Sequence, residues 1–464
     1  MKLVAGLLDT RLDNLVRREA ARRQRRLAVI ATASTIGMFA GGALAVYAEF
    51  QRQDAVEQRQ VAVSNQERAE ATVEFLISTF EVANPATENA NTITARSVLD
   101  RGARRLDTDL QDQPETRAEL LTAMGRIYRN LGLYDRSADV LQKGFSLLRP
   151  GTPAAVQNRL RYAETMVDAK DVERAETAIR SLRKAIAVYR GTDDLMGVKG
   201  QLELVSGVLA YDKGDFPAAL GHFERGGELL SMGGDELADQ RLDTLILTAN
   251  TYKEMGESAK ADNILQRALE LAVQSLGPRH QRTGQVYTNL AFNASDAGRP
   301  KEAVAYALKA LPIYEAVLSP PHPAIARLYM VLGLARQQTG DLTVAERDLR
   351  TSRDIFRQAY PDGHYEIGFV DTYLGETLAA QKRFPEALSL LDDAKRNYDI
   401  SYGGLHPNHG DLAIYRAVVL DEAGRTADAR QACAQGRDIL GRTIGLQAYA
   451  SQRLLQRCED RDLL

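Results

Sequence analysis

The unit that organises this chain reads Val286-Tyr-Thr-Asn-Leu-Ala-Phe-Asn-Ala-Ser-Asp-Ala-Gly298 and, after a short turn, Lys301-Glu-Ala-Val-Ala-Tyr-Ala-Leu-Lys-Ala-Leu311. Its pattern returns every 42 residues, and a period of that length is typical of stacked repeats. Gly298 separates the two halves, and glycine at a helix end adopts the left-handed conformation that satisfies free carbonyls. The unit therefore predicts two helices joined by a tight turn.

Four sets of small residues keep the 42-residue step through six copies. Within the first helix the set is Gly207, Ala249, Ala291, Gly333, Gly375 and Ala417. At the turn it is Gly214, Gly256, Gly298, Gly340, Lys382 and Gly424. Within the second helix the sets are Ala219, Ala261, Ala303, Ala345, Ala387 and Ala429, and Gly226, Ala268, Ala310, Ser352, Ala394 and Gly436. We expect the helical sets to lie where a larger side chain would hold the paired helices apart.

The spacing of five and then seven residues after the turn glycine resembles the tetratricopeptide repeat. The 42-residue step, with loops such as Leu276-Gly-Pro-Arg-His280, resembles the longer repeats of kinesin light chains. Weaker copies at Gly125, Gly132, Ser137 and Gly144, and at Ala163, Lys170 and Ala175, bring the count to eight. The resemblance implies an all-α, right-handed α-solenoid of about eight helix pairs.

Four histidines share the same step, namely His280, His322, His364 and His406. Each follows a turn that contains Gly or Pro. Because one histidine falls in each repeat along a superhelix, the four cannot converge on one metal ion. We expect each ring to hydrogen-bond the backbone of its own loop.

The N-terminal part predicts a membrane anchor. Residues 1–26 carry eight basic and three acidic groups, and Leu27–Ala48 run for 22 residues without a charge. That length matches a hydrocarbon core of about 30 Å, and the basic flank predicts a cytoplasmic N-terminus. The small residues of the span suit a helix that packs against a second copy, so a homo-oligomer is expected. The alternative is a cleavable signal peptide processed near Ala43-Leu-Ala45.

These features divide the chain into six segments. They are a basic juxtamembrane segment (1–26), a transmembrane helix (27–48), a polar helical stalk (49–83), a linker and N-terminal capping helix (84–114), the repeat solenoid (115–442) and a C-terminal capping helix (443–464). Thr94 is expected to cap the helix before the solenoid. Cys433 and Cys458 are either two free buried thiols or a disulfide that fastens the last helix, which needs an oxidising compartment.

The N-terminal third resembles bacterial membrane receptors in which a cytosolic TIR domain or Ser/Thr kinase precedes one transmembrane helix and a tetratricopeptide array. The similar stretches are Leu3–Leu8, Arg17–Arg23, Glu74–Pro85, Thr94–Ala103, Gln113–Ala118 and Leu131–Tyr134. The sequence lacks a Gly-rich phosphate loop, His-Arg-Asp and Asp-Phe-Gly, and only about 26 residues precede the span. We therefore expect no catalysis by this chain.

Two short motifs suggest chemistry and are better explained by the repeat. Gly233-Gly-Asp-Glu236 resembles the active-site turn of diguanylate cyclases, yet it falls between two helical repeats, where such residues are ordinary. His406-Pro-Asn-His409-Gly-Asp411 has metal-ligand residue types, but the repeat already accounts for His406. We find no nucleophile paired with a base. No enzyme activity, metal or cofactor is predicted.

The remaining candidate site is the groove lined by the first helix of each pair. The register places there Asn250, Lys253, Gln285, Phe292, Arg327, Gln337 and Glu376. This mixed lining favours a protein or peptide ligand, with an ordinary solvated helix face as the alternative. The net charge of −3 lies on a chain whose first 26 residues carry +5, so the remainder is acidic and nucleic acid is not expected as a partner.

We therefore expect a single-pass protein of the bacterial inner membrane. Its repeat domain would be periplasmic and would act as a scaffold or as the sensor part of a signalling system. The first alternative is a remnant or split half of a TIR or kinase receptor whose catalytic module acts in trans. The second is a soluble periplasmic assembly factor, released by cleavage near Val46.

Overall fold

The computed structural model describes residues 17–32, 95–189 and 195–464, together with isolated positions between 34 and 59. The chain forms two compact units, Met1–Thr116 and Arg117–Leu464. Residues 17–32 of the first unit are helical, and α1 spans Ala95–Asp109. Within the described residues all regular secondary structure is helical, so the predicted all-α class is confirmed.

From Pro114 onward, the described chain forms eight helix pairs and one closing helix, which confirms the predicted number of pairs. The pairs are α2 (Pro114–Asn130) and α3 (Tyr134–Leu147); α4 (Pro153–Asp168) and α5 (Val172–Ala187); α6 (Met196–Asp212) and α7 (Phe216–Met232); α8 (Ala238–Glu254) and α9 (Ser258–Ser275); α10 (Gln281–Asp296) and α11 (Pro300–Val317); α12 (Pro323–Gln338) and α13 (Leu342–Ala359); α14 (Tyr365–Ala380) and α15 (Phe384–Tyr402); α16 (Pro407–Glu422) and α17 (Thr426–Thr443). The closing helix α18 spans Tyr449–Glu459.

The small residues lie where the two helices of a pair meet, as predicted. A Cβ added to Gly207 would come within 2.5 Å of the ring of Phe223, and one added to Gly333 would come equally close to Leu349. The alanine set in the second helix is buried throughout: Ala219, Ala261, Ala303, Ala345, Ala387 and Ala429. These positions let the backbones approach closely, and the larger apolar residues around them fill the core of each pair.

The turn residues have the left-handed conformation that the glycine set predicts. Their φ angles are 76° at Gly214, 78° at Gly256, 71° at Gly298, 84° at Gly340 and 76° at Gly424. Lys382 and Lys170 occupy the same turn position with φ of 64° and 58°. A side chain in this conformation costs roughly 1–2 kcal/mol, so the repeat geometry is kept at these two turns against local preference.

The four repeated histidines cap the first helices of their pairs, which confirms the predicted structural role. Nδ1 accepts a hydrogen bond from the backbone N–H two residues later, at 3.3 Å for His280, 3.1 Å for His322, 3.3 Å for His364 and 3.3 Å for His406. An accepting Nδ1 requires the unprotonated ring. Burial lowers the pKa of His322 and His364, and lowers that of His406 to about 4.

The last core closes around a disulfide between Cys433 of α17 and Cys458 of α18. Both cysteines are fully buried, and Leu454 and Leu455 of α18 pack with them against α16 and α17. Of the two possibilities that the sequence left open for the cysteines, the structure contains the disulfide. It fastens α18 to the final pair.

Several predictions for the N-terminal part lie outside the described residues. They include most of the predicted transmembrane span 27–48, most of the stalk 49–83, and the linker up to the predicted cap Thr94. The described residues contain no helix that has both the length and the apolar character needed to cross a membrane. The six segment boundaries stay predictions.

Candidate functional site

The first helices of three successive pairs surround a cavity of about 230 Å³. It is lined by Tyr211 of α6, by Asn250, Lys253 and other residues of α8, and by Phe292 of α10. Asn250, Lys253 and Phe292 were predicted from the repeat register to line the groove. The structure brings these three together on the surface that the first helices form, which we call the inner face.

The cavity presents unmatched amide groups. Asn289 and Asn293 of α10 both line it, and within the described part of the chain neither Nδ2 of Asn289 nor Oδ1 of Asn293 has a hydrogen-bond partner, although both atoms are buried. Nδ2 of Asn293 donates to the carbonyl of Ser258 and to Asp262, which fixes the orientation of the amide. A buried donor and a buried acceptor without partners are costly. One is a donor and the other an acceptor, and a peptide group carries the complementary acceptor and donor.

Charged residues lie at the cavity and next to it. Nζ of Lys253 lies 3.6 Å from Asp296 at the end of α10, and Glu254 lines the cavity beside Lys253. Burial raises the pKa of Tyr211, and the carboxylates of Glu254 and Asp212 raise it further. The hydroxyl of Tyr211 therefore stays protonated and can donate a hydrogen bond to a ligand.

Three other predicted groove residues lie away from the cavity. Gln285 accepts a hydrogen bond from Arg282 at 2.5 Å, and Nε of Arg327 donates to Glu366 of α14 at 2.6 Å. Arg327 thereby joins two successive first helices. Gln337 is partly buried on α12 and does not line the cavity. The sequence register alone could not separate these positions from the cavity residues.

The seventh predicted residue, Glu376 of α14, already binds another side chain of the protein. Arg457 of α18 donates a hydrogen bond to its carboxylate, and the guanidinium of Arg457 lies 4.6 Å from the ring centre of Tyr415 on α16. One turn earlier, Arg453 lies 3.9 Å from Asp296. The closing helix therefore lies on the inner face itself. The sequence predicts only a terminal cap for residues 443–464 and gives no sign of this contact.

Tyr449, the first residue of α18, extends this contact to the turn after α8. Its ring lies over Gly256, where an added Cβ would come within 2.6 Å of the ring. The contacts of α18 thus reach α10, α14 and α16 and the turn after α8. A sequence signal for this helix exists, because Tyr449 follows Pro407, the first residue of α16, by 42 residues. The closing helix therefore starts at the same repeat position as α16.

Asp411 of α16 faces the same region. Burial raises the pKa of its carboxyl to about 7, although Arg453 lowers it, and the carboxylate of Glu254 adds to the rise. Burial also raises the pKa of Tyr415, which lies between Arg457 and the core. Acidic groups from α10, α14 and α16 therefore lie around the two arginines of α18, and Glu254 of α8 is a charged neighbour of Asp411.

The two motifs that had suggested chemistry serve the repeats. His406 caps α16, Nε2 of His409 lies 3.2 Å from Asp399, and Asp411 faces α18, so the three side chains have different surroundings. Gly233–Glu236 leads into a single 3₁₀ turn, Asp235–Leu237, between α7 and α8. In the part of the chain that the structure describes, no cluster of three or more His, Cys, Asp or Glu side chains could hold a metal ion.

Comparison with known proteins identifies the repeat. A tetratricopeptide repeat family model matches residues 240–316 and 291–358. Two Arabidopsis thaliana proteins are similar: kinesin light chain-related 3 is 25% identical over 43% of this chain and 30% of its own length, and kinesin light chain-related 2 is 22% identical over 65% and 46%. The chain thus spans less than half the length of these relatives. It contains tetratricopeptide repeats that are similar to those of kinesin light chain-related proteins.

Solved structures give weaker likenesses. A kinesin light chain with nearly identical repeats from Podospora anserina is 20% identical with a TM-score of 0.36, over 44% of this chain and 96% of that one. A signal transduction ATPase with a tetratricopeptide repeat sensor, from Pyrococcus horikoshii, is 12% identical with a TM-score of 0.49, over 75% and 53%. At these values neither structure supports a statement about ligand or activity.

Proposed function

We propose that this tetratricopeptide-repeat protein binds a protein or peptide on its inner face and acts as a scaffold or sensor. The observation that supports this function is the cavity between α6, α8 and α10, with its unmatched amides of Asn289 and Asn293. Solenoids of this type bind partners through continuous surfaces of stacked repeats. A peptide would satisfy both amides, and Phe292 would contact its side chains.

The membrane anchor and the periplasmic location belong to the same proposal. The uncharged run Leu27–Ala48 behind a basic segment favours a single span with a cytoplasmic N-terminus. The disulfide between Cys433 and Cys458 supports a solenoid on the oxidising side of the bacterial inner membrane. The receptor-like stretches of the N-terminal third favour a role in signalling, with a catalytic module acting in trans as the second candidate.

Cross-linking tests the inner face. A photoreactive amino acid is placed at Phe292 in the full chain, and the matched control is the exposed Leu308 on α11 of the same repeat. We expect a discrete cross-linked partner from position 292 and none from position 308. Adducts from position 308 alone, or from neither position, would contradict binding at the cavity.

Cysteine labelling tests the topology. Asn89→Cys and Ala20→Cys are made separately in a Cys433→Ser/Cys458→Ser background and treated with an impermeant maleimide in intact spheroplasts. We expect labelling at position 89 before lysis and at position 20 only after lysis. The reverse order would place the repeats in the cytoplasm, and release of the repeat domain from the membrane would favour the cleaved form.

A further inference from the structure

The closing helix has a basic face and an apolar face. Tyr449, Arg453 and Arg457 follow one another at four-residue steps, so they share one side of the helix. Leu454 and Leu455 lie on the other side and pack into the last core. A helix with this division fits between an acidic surface and an apolar one.

The surface that receives the basic face is acidic and comes from distant repeats. Glu376 binds Arg457, Asp296 lies 3.9 Å from Arg453, and Asp411 adds a further carboxyl beside Arg453. Asp411 has no hydrogen-bond or ion-pair partner among the residues that the structure describes. Tyr415 adds an aromatic surface under the guanidinium of Arg457. Cationic side chains over aromatic rings and beside carboxylates are stabilised by both.

The acidic surface that α18 contacts is continuous with the cavity. Asp296 contacts Arg453 on one side and Lys253 on the other, and Lys253 lines the cavity. Glu254 lines the cavity and is also a charged neighbour of Asp411. The closing helix fills the acidic part of this surface and leaves the asparagine part empty. An external segment that filled both parts would gain hydrogen bonds that α18 does not make.

We propose that the inner face binds a cationic amphipathic helix of a partner protein, with an aromatic residue and two arginines at four-residue steps, and that α18 occupies this site in its absence. This inference rests on the proposed function and specifies the chemistry of its ligand. The disulfide between Cys433 and Cys458 keeps α18 next to the site, because Cys458 directly follows Arg457. A tethered segment competes at an effective concentration on the order of millimolar.

Peptide binding to the full-length protein tests the proposal. The probe is a fluorescein-labelled peptide with the sequence of residues 446–464 and the substitution Cys458→Ser. The control peptide carries Arg453→Glu and Arg457→Glu in addition. The receptors are the disulfide-bonded wild type, the Cys433→Ser/Cys458→Ser variant, and this variant with Arg453→Glu/Arg457→Glu, in which the carboxylates of the inner face repel its own α18.

Fluorescence anisotropy should rank the receptors in that order of increasing affinity. We expect the third receptor to bind the probe at least tenfold more tightly than the wild type, and the control peptide to bind none of them. Glu376→Arg in the third receptor should lower its affinity for the probe at least tenfold. A peptide with the single change Arg457→Glu should bind this Glu376→Arg receptor more tightly than the probe does, because the charges of the pair are then exchanged. Loss of packing alone would not restore binding in this way.

Three results would overturn the proposal. One is failure of the third receptor to bind the probe while its circular dichroism matches that of the wild type. The second is equal binding of the probe and the control peptide. The third is sedimentation of the second receptor as a dimer, which would make α18 of another copy the occupant. If the probe fails while position 292 still cross-links a partner, inner-face binding stands and only the ligand chemistry is wrong.

Discussion

The first helices α10, α12, α14 and α16 and the closing helix α18 begin at the same 42-residue step, yet they have different structural roles. Each of the four is 16 residues long, is capped by a histidine and is followed by a second helix. The closing helix has 11 residues, no side-chain cap and Ala448 in the histidine position. The side of α18 that carries Arg453 and Arg457 lies on the inner face.

The comparison shows how a helix that keeps the 42-residue step can make different contacts from those of the regular first helices. In the regular repeats the small residues let each first helix pack against its second helix. In α18 the corresponding end of the helix is charged, with Glu459 at the position 42 residues after Ala417. One side of α18 still packs into the last core through Leu454 and Leu455, and ion pairs and one disulfide add to that packing. Such contacts depend on redox state, salt and pH more strongly than a packed core does.

The largest expected effect is on the close packing of the regular pairs. Gly333→Leu should lower the free energy of unfolding by about 3 kcal/mol, because an added Cβ already comes within 2.5 Å of Leu349. Chemical denaturation followed by circular dichroism measures the change. The matched control is Gly404→Leu, at a position with no heavy atom within 4 Å of the added Cβ. Similar decreases in the free energy of unfolding for both variants would mean that helix packing does not limit the size of the side chain at position 333.

The next effect concerns the attachment of α18. Cys433→Ser/Cys458→Ser opens a covalent loop with a sequence separation of 25 residues, and such a cross-link is worth about 2–4 kcal/mol. Native-state hydrogen exchange should therefore speed up by roughly 30-fold or more within α18. The amides of α12 should be unaffected. Equal acceleration in both helices would show that the last pair and the middle of the solenoid unfold together.

Asp411 should make the inner face sensitive to pH. Its pKa of about 7 lies above the ordinary value of 3.8, so the folded protein binds more protons than the unfolded chain between these values. The contribution of this group to stability is therefore present at low pH and is lost as pH rises from about 4 to about 7. Asp411→Asn should stabilise the protein at pH 8, by on the order of 2 kcal/mol, and change little at pH 4.

Thermal unfolding at the two pH values checks this difference. Asp421→Asn, on the same helix, is the control, and we expect no pH-dependent gain from it. A gain that is the same at pH 4 and pH 8 would mean that protonation of Asp411 is not its source.

The histidine caps should make the stability of the regular helices depend on pH as well, to a smaller extent and in the opposite direction. The pKa of His406 is lowered to about 4 from 6.5, so its contribution to stability is present above about 6.5 and is lost as pH falls through about 4. His406→Ala removes the cap and should cost about 1 kcal/mol at pH 7.5, with a smaller loss at pH 4. Ala448→His offers the converse test, because a histidine could cap α18.

The parts of this structure that could be predicted are the ones that repeat. The left-handed turns and the close-packed alanines each depend on contacts within one unit, so six copies in register identify them. Four copies in register identify the histidine caps in the same way. The position of Asn250, Lys253 and Phe292 on one surface follows from the same periodicity. The contact between Arg457 and Glu376 joins residues 81 positions apart and does not lie within one repeat unit. No pattern in the sequence could reveal it.

The smallest expected effect tests whether the repeat geometry overrides local preference. Lys382 has a left-handed φ of 64° at the position where six other repeats have glycine. Lys382→Gly should stabilise the protein by about 0.5–1 kcal/mol. Glycine removes the steric cost of the left-handed conformation, and the greater conformational entropy of glycine in the unfolded chain offsets part of this gain. The exposed Lys301→Gly, at the start of α11, should instead destabilise by a few tenths of a kcal/mol. Destabilisation by both substitutions would mean that the contact of Lys382 with the ring of Phe384 at 5.7 Å outweighs the strained turn.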